Sequence, residues 1–129
     1  MGEDYEIPPP MGLYVLDASG EKAVPCHDVL EWARWYAKSR ERWVARSFLD
    51  EERILVSTIF LGLDHNYMGG PPILWETMVF RVKEDGEMYG PLDSDCCAGT
   101  REQALAMHEA MKERAETMLA KLIPAKPWQ

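Results

Sequence analysis

The chain has 129 residues, 47% of them hydrophobic and 28% charged, with 14 Lys and Arg against 22 Asp and Glu and a formal net charge of −8. That composition excludes a mainly disordered chain, a collagen-like repeat and a disulfide-stapled mini-protein, and leaves one folded domain of mixed α and β structure. The acidic excess removes the phosphate-neutralising term behind non-specific nucleic-acid binding and does not suit adhesion to an anionic membrane.

Residues 1–12 read as a flexible tail, because Pro8-Pro9-Pro10 favours polyproline II and cannot donate to a sheet. Leu13 to Leu16 reads as a short strand, Asp17 to Gly20 as a turn, and Glu21 to Val24 as a returning strand stopped by Pro25. Asp28 is a good N-cap with Glu31 three residues on, and Val29, Trp32, Ala33, Tyr36 and Ala37 recur at helical spacing, so a helix is expected over 28–39. Arg42 to Leu49 alternates in character, and Asp50 to Arg53 is a polar turn. Ile54 to Leu63 is almost continuously apolar and β-branched, which marks a central strand. The segment from His65 to Pro72 is a Gly-Pro loop, and Ile73 to Val82 returns as the hairpin partner. Lys83 to Gly99 is polar and irregular, with at most one short strand near Met88. Thr100 with Gln103 makes a second capping box for a helix over 101–122 that Pro124 ends, its core stripe being Ala104, Met107, Met111, Ala115, Met118 and Leu122. The order predicts an α+β domain over 13–124, with an antiparallel sheet of four to five strands, two helices packed on one face, and a short tail at 125–129.

Three candidate sites stand out. Asp64, His65, Asn66 and Tyr67 leave the central strand for a loop, with Glu76 a few residues into the returning strand. A carboxylate beside a histidine suits acid–base chemistry or part of a metal site, but Asp and Asn at such positions commonly satisfy turn backbone instead. Glu76 sits in an apolar strand with Arg46 and Arg81 as potential partners. Arg34, Lys38, Arg42 and their neighbours Arg40 and Arg46 interleave with Trp35, Trp43, Trp32 and Tyr36, a mixture suited to interface hot spots or to stacking on a nucleotide. An acidic run, Glu84, Asp85, Glu87, Asp93 and Asp95, reads as a solvated loop or as a phosphate-like surface for a basic partner. Cys96-Cys97 does not read as a redox pair, because Asp93 and Asp95 raise thiol pKa values. The sequence has no Ser-His-Asp signature, GxSxG elbow, P-loop or GxGxxG fingerprint, and no metal or cofactor is expected.

The run Val56-Ser-Thr-Ile-Phe-Leu-Gly-Leu-Asp-His65, then Gly-Gly-Pro-Pro72 and Leu74-Trp-Glu-Thr-Met-Val-Phe80, resembles a small family of uncharacterised bacteriophage and prophage proteins. Tyr14-Val-Leu-Asp17, Val24-Pro-Cys and the closing helix from Thr100 through His108 are similar to it too. The resemblance implies a phage-encoded protein working in the bacterial host cytoplasm. Three free cysteines and an acidic, proline-rich N-terminus without a signal-peptide pattern point the same way. The first functional expectation is a non-enzymatic binding protein that blocks or modulates a host factor, such as part of a defence system. The alternative is a nucleotide-binding module or signalling-nucleotide sponge, completed by a homo-oligomer. The last is a metal-assisted hydrolase centred on Asp64, His65 and Glu76.

Overall fold

The structure, a computed structural model, describes residues 12–122. The polyproline segment, the helix stop at Pro124 and the tail at 125–129 lie outside them. Strands β1 (Tyr14–Leu16) and β2 (Ala23–Pro25) form a small antiparallel hairpin, followed by α1 (Val29–Lys38). Then come β3 (Trp43–Leu49), β4 (Ile54–Phe60), β5 (Trp75–Val82), β6 (Met88–Cys97) and α2 (Arg101–Leu122). The last four strands make one antiparallel sheet in the order β3-β4-β5-β6, so the β-branched run of β4 lies inside it, as its composition requires. The fold is α+β.

Both helices pack on the same side of this sheet. Trp35 of α1 and Ala104 and Met107 of α2 meet the cluster of Leu16, Phe60, Leu74 and Trp75. Phe60 meets Trp75 and Trp35 edge-on at centroid distances of 4.9 and 5.9 Å. Further along α2, Met111, Ala115 and Leu119 cover Ile54, Val56 and Val79. Local signals fix the N-terminal ends of both helices. Asp28 accepts from the amides of Leu30 and Glu31 at 2.9 and 3.2 Å. Thr100 and Gln103 exchange the two bonds of a capping box, and Glu21 of the first hairpin accepts from the amide of Glu102 at 3.1 Å.

The strand expected to run to Leu63 ends at Phe60, because Gly62 turns the chain at φ +73. There a Cβ would stand 3.2 and 3.3 Å from Tyr36 ring carbons, and the Gly62 carbonyl accepts from the Tyr14 amide at 2.9 Å and the Trp32 indole at 3.0 Å. This glycine joins the end of β4 to α1 and the first hairpin. Pro25 does not stop β2 but forms its last residue, opposite Tyr14. The stretch expected to be irregular is the ten-residue edge strand β6. An edge tolerates Pro91. The ladder also shifts register between Val79 and Arg81, where Gly90 (φ +141) brings its backbone so close that a Cβ would lie 2.8 Å from the Leu92 nitrogen. In α2, Met118 is half exposed and Leu119 takes the packing position expected of it.

Candidate functional site

The residues singled out in the sequence do not converge. Asp64 Oδ1 accepts from the amides of Asn66 and Ile73 at 2.7 and 3.0 Å. Asn66 accepts from the Met68 amide at 3.1 Å and donates to the Pro71 carbonyl at 2.7 Å. These are turn bonds, so both polar side chains are engaged in shaping their own loop. His65 and Tyr67 stack loosely at 6.3 Å, and Tyr67 and Met68 stand out at the loop tip. Glu76 pairs in register with Ile59 and Cys96, on the sheet face away from the helices. Among the described residues no group of three or more His, Cys, Asp or Glu is placed to hold a metal ion. The hydrolase constellation is therefore not assembled.

The Arg–Trp group is likewise divided. Trp35 turns inward to Phe60, while Arg34 and Lys38 stay on the solvent side of α1. Arg42 lies 3.6 Å over the Tyr36 ring, which itself stacks on Trp32 at 4.7 Å, and its Nε donates to the Tyr36 carbonyl at 3.2 Å. The ring of Trp43, 55% exposed, lies 5.8 Å from the same guanidinium. Tyr36 thus already occupies a stacking face of Arg42, and Trp43 is held at the rim of the sheet instead of beside Arg34. Of the acidic run, Asp93 forms a bidentate pair with Arg114 at 2.8 and 2.9 Å, which holds its carboxyl below the ordinary range and ties β6 to α2. Cys96 and Cys97 carry free thiols, and burial, then Asp95 and Glu76, push the Cys96 thiol up.

Sequence reasoning missed a buried polar chain between α2 and the sheet. His108 Nε2 bonds Ser47 Oγ at 2.8 Å and Nδ1 bonds Thr58 Oγ1 at 2.7 Å, while Thr58 in turn bonds Thr77 Oγ1 at 2.5 Å. His108, Thr58 and Thr77 are all buried, and desolvation holds the imidazole below its ordinary pKa, hence neutral. Its signal was its spacing: position 108 lies four beyond Ala104 and three before Met111, on the apolar stripe, where a polar side chain requires a partner. The chain reads as a helix-to-sheet tether, since His108 spends both ring nitrogens on hydroxyls under α2.

The other face of the sheet is different in kind. Its outward positions on the first three strands are Trp43, Arg46 and Phe48 on β3, Leu55, Ser57 and Ile59 on β4, and Glu76, Met78 and Phe80 on β5, with Ser94 and Cys96 of β6 beside Met78 and Glu76. With Met88 of β6, all of these β3, β4 and β5 residues but Phe48 line an apolar groove of about 300 Å³. No helix among the described residues lies over it: α1 and α2 pack on the clusters of the opposite face. A half-solvated antiparallel sheet normally alternates apolar inside with polar outside. Here seven of the ten residues contributed by β3, β4, β5 and Met88 are apolar, and Trp43, Phe48 and Met88 are each at least half exposed. A second depression, of about 910 Å³, opens between the 50–53 and 83–86 turns, but its walls mix exposed charges of both signs.

No protein-family model matches the chain, and neither the curated proteins nor the solved structures contain a significant match to it. No helix among the described residues is long and apolar enough to cross a membrane.

Proposed function

We propose that the protein acts without catalysis, as a phage-type binding protein that docks a host protein on the helix-free face of its four-stranded sheet. The observation that carries this reading is the apolar groove bounded by Trp43 and Met88, with Phe48 on the same face: these large side chains remain accessible and nothing within the described chain covers them. Contiguous apolar surface of this kind marks interaction sites on soluble proteins, and aromatic and Arg side chains are the usual energetic centres of interfaces. Trp43 is suited to that role because the Trp32–Tyr36–Arg42 column restrains the residue next to it. The phage resemblance suggests the partner class, a bacterial cytoplasmic protein, and nothing finer; a component of a defence system is the partner proposed within that class.

The test is parallel affinity capture from bacterial lysate with the wild-type chain and with Phe48→Lys and Met78→Lys variants whose thermal melts match it. The proposal expects a host protein that the wild type retains and both variants lose. Recovery of the same proteins by all three would contradict it.

A further inference from the structure

Among the described residues the strands of the helix-free face carry one outward base, Arg46 on β3, and one outward acid, Glu76 on β5, with β4 between them. Neither belongs to an ion pair among the described residues, where the pairs are Arg53–Glu51, Lys112–Glu109 and Arg114–Asp93. The Arg46 guanidinium lies 6.0 Å from the Phe48 ring. Around the two charges lie Trp43, Phe48, Leu55, Ile59, Met78 and Phe80. We propose that, in the free protein, this face joins two copies of the chain across a two-fold axis, with Arg46 of each copy against Glu76 of the other. The inference rests on reading the face as a docking surface, and it names the occupant that a host protein must displace.

Two features favour a second copy over a peptide or a single helix. A face with one acid and one base, set on different strands, is complementary to itself. Any two-fold that forms the Arg46–Glu76 contact once forms it twice, which is the property of an isologous interface. Strands about 4.8 Å apart with a rise of about 3.3 Å per residue make a four-strand, seven-residue face roughly 19 by 23 Å. A helix about 10 Å across covers only half of that width, whereas a second sheet, packing about 10 Å away face to face, covers all of it. The plan area, roughly 450 Å² before side-chain relief, falls short of the ~800 Å² per partner of a standard stable interface. The association is therefore weak and reversible, as an occluding contact must be if another protein is to replace it.

The experiment is sedimentation equilibrium of the full chain from low-micromolar to near-millimolar concentration. The mass should rise from 14.8 kDa toward twice that value. Arg46→Glu and Glu76→Arg should each weaken association at least tenfold, because each variant faces two like-charge contacts with itself. An equimolar mixture of these two variants, and the double variant R46E/E76R, should regain it, since both restore opposite charges. If either reversal lowers the melting temperature, Arg46→Gln and Glu76→Gln replace the pair, and each must still weaken association. A wild-type monomer throughout, or a dimer indifferent to these substitutions, overturns the inference. Neither result touches the docking proposal, which fails if capture of a host protein is independent of Phe48 and Met78.

Discussion

Replacing Thr58 by Val removes one oxygen from the middle of the Ser47–His108–Thr58–Thr77 chain and leaves the shape of the side chain unchanged. Two buried groups then lose their partner, His108 Nδ1 and Thr77 Oγ1, both bonded to Thr58 Oγ1 in the native fold. An orphaned buried polar group costs about 1–3 kcal/mol, so Thr58→Val should destabilise the domain by about 2–6 kcal/mol, a large share of the ~5–15 kcal/mol that holds such a domain together. Thr77→Val removes the end of the chain instead. Thr58 keeps its bond to His108, nothing is orphaned, and the loss is that of one net hydrogen bond, about 1 kcal/mol. In the double variant Thr77 has no hydroxyl left to orphan, so its cost should fall short of the sum of the singles by about 1–3 kcal/mol. Urea unfolding with an unchanged m-value reads all three. Equal costs for the two single variants, or strict additivity, would refute the tether as described.

Three other outcomes follow from the same structure. Burial depresses the pKa of His108, so its neutral form contributes stability that is complete above the unfolded-state value of about 6.5 and is lost as pH falls through the lower folded value. The urea midpoint of the wild type should therefore decline just below neutrality, well before the carboxylates titrate, and His108→Gln should remove that slope; an identical slope in both proteins would contradict it. Gly62→Ala and Gly69→Ala share a left-handed penalty of ~1–2 kcal/mol, but the new Cβ meets the Tyr36 ring at 3.2 Å at the first position and open space at the second, so thermal melts should show the first variant less stable than the second. Asp50, Glu51 and Glu52 all have positive φ in the β3–β4 turn, so Asn-Gly at positions 51–52 should stabilise the protein by ~1–2 kcal/mol in the same assay despite losing the exposed Arg53–Glu51 pair; no gain would mean that the turn is unstrained.

Much of the architecture was legible because local and long-range signals agree there. The Asp28 and Thr100 caps, the 3–4 spacing from Ala104 to Met111 and the β-branched run Ile54–Phe60 each name one element type. Strand β6 was not legible: Met-Tyr-Gly-Pro-Leu-Asp-Ser-Asp-Cys-Cys lacks apolar alternation, and its extended form comes from pairing with β5 across a register shift. The candidate site was legible only in pieces. A period-two reading of Ile73 to Val82 puts Leu74, Glu76, Met78 and Phe80 on one face and Ile73, Trp75, Thr77 and Val79 on the other. Glu76, Met78 and Phe80 do share the helix-free face, but the strand starts only at Trp75 and Leu74 is buried in the core cluster beside it. That β3, β4 and β5 present a shared apolar face depends on strand order and on both helices choosing the opposite side, neither of which any one strand encodes. Trp35 and Trp43 look alike in sequence, and packing alone decides that one enters the core while the other stays at the rim.

Methionine methyl groups report on the two faces separately, Met78 and Met88 on the helix-free side and Met107 and Met111 under α2. Methyl NMR of selectively labelled protein, recorded across a dilution series, tests the central claim that the helix-free face is the contact surface. The expected result is a concentration-dependent shift at Met78 and Met88 with Met107 and Met111 unmoved, the same two signals shifting again when a captured host protein is added. Shifts confined to the loop methionine Met68, or a Met78 signal indifferent to both, would contradict it.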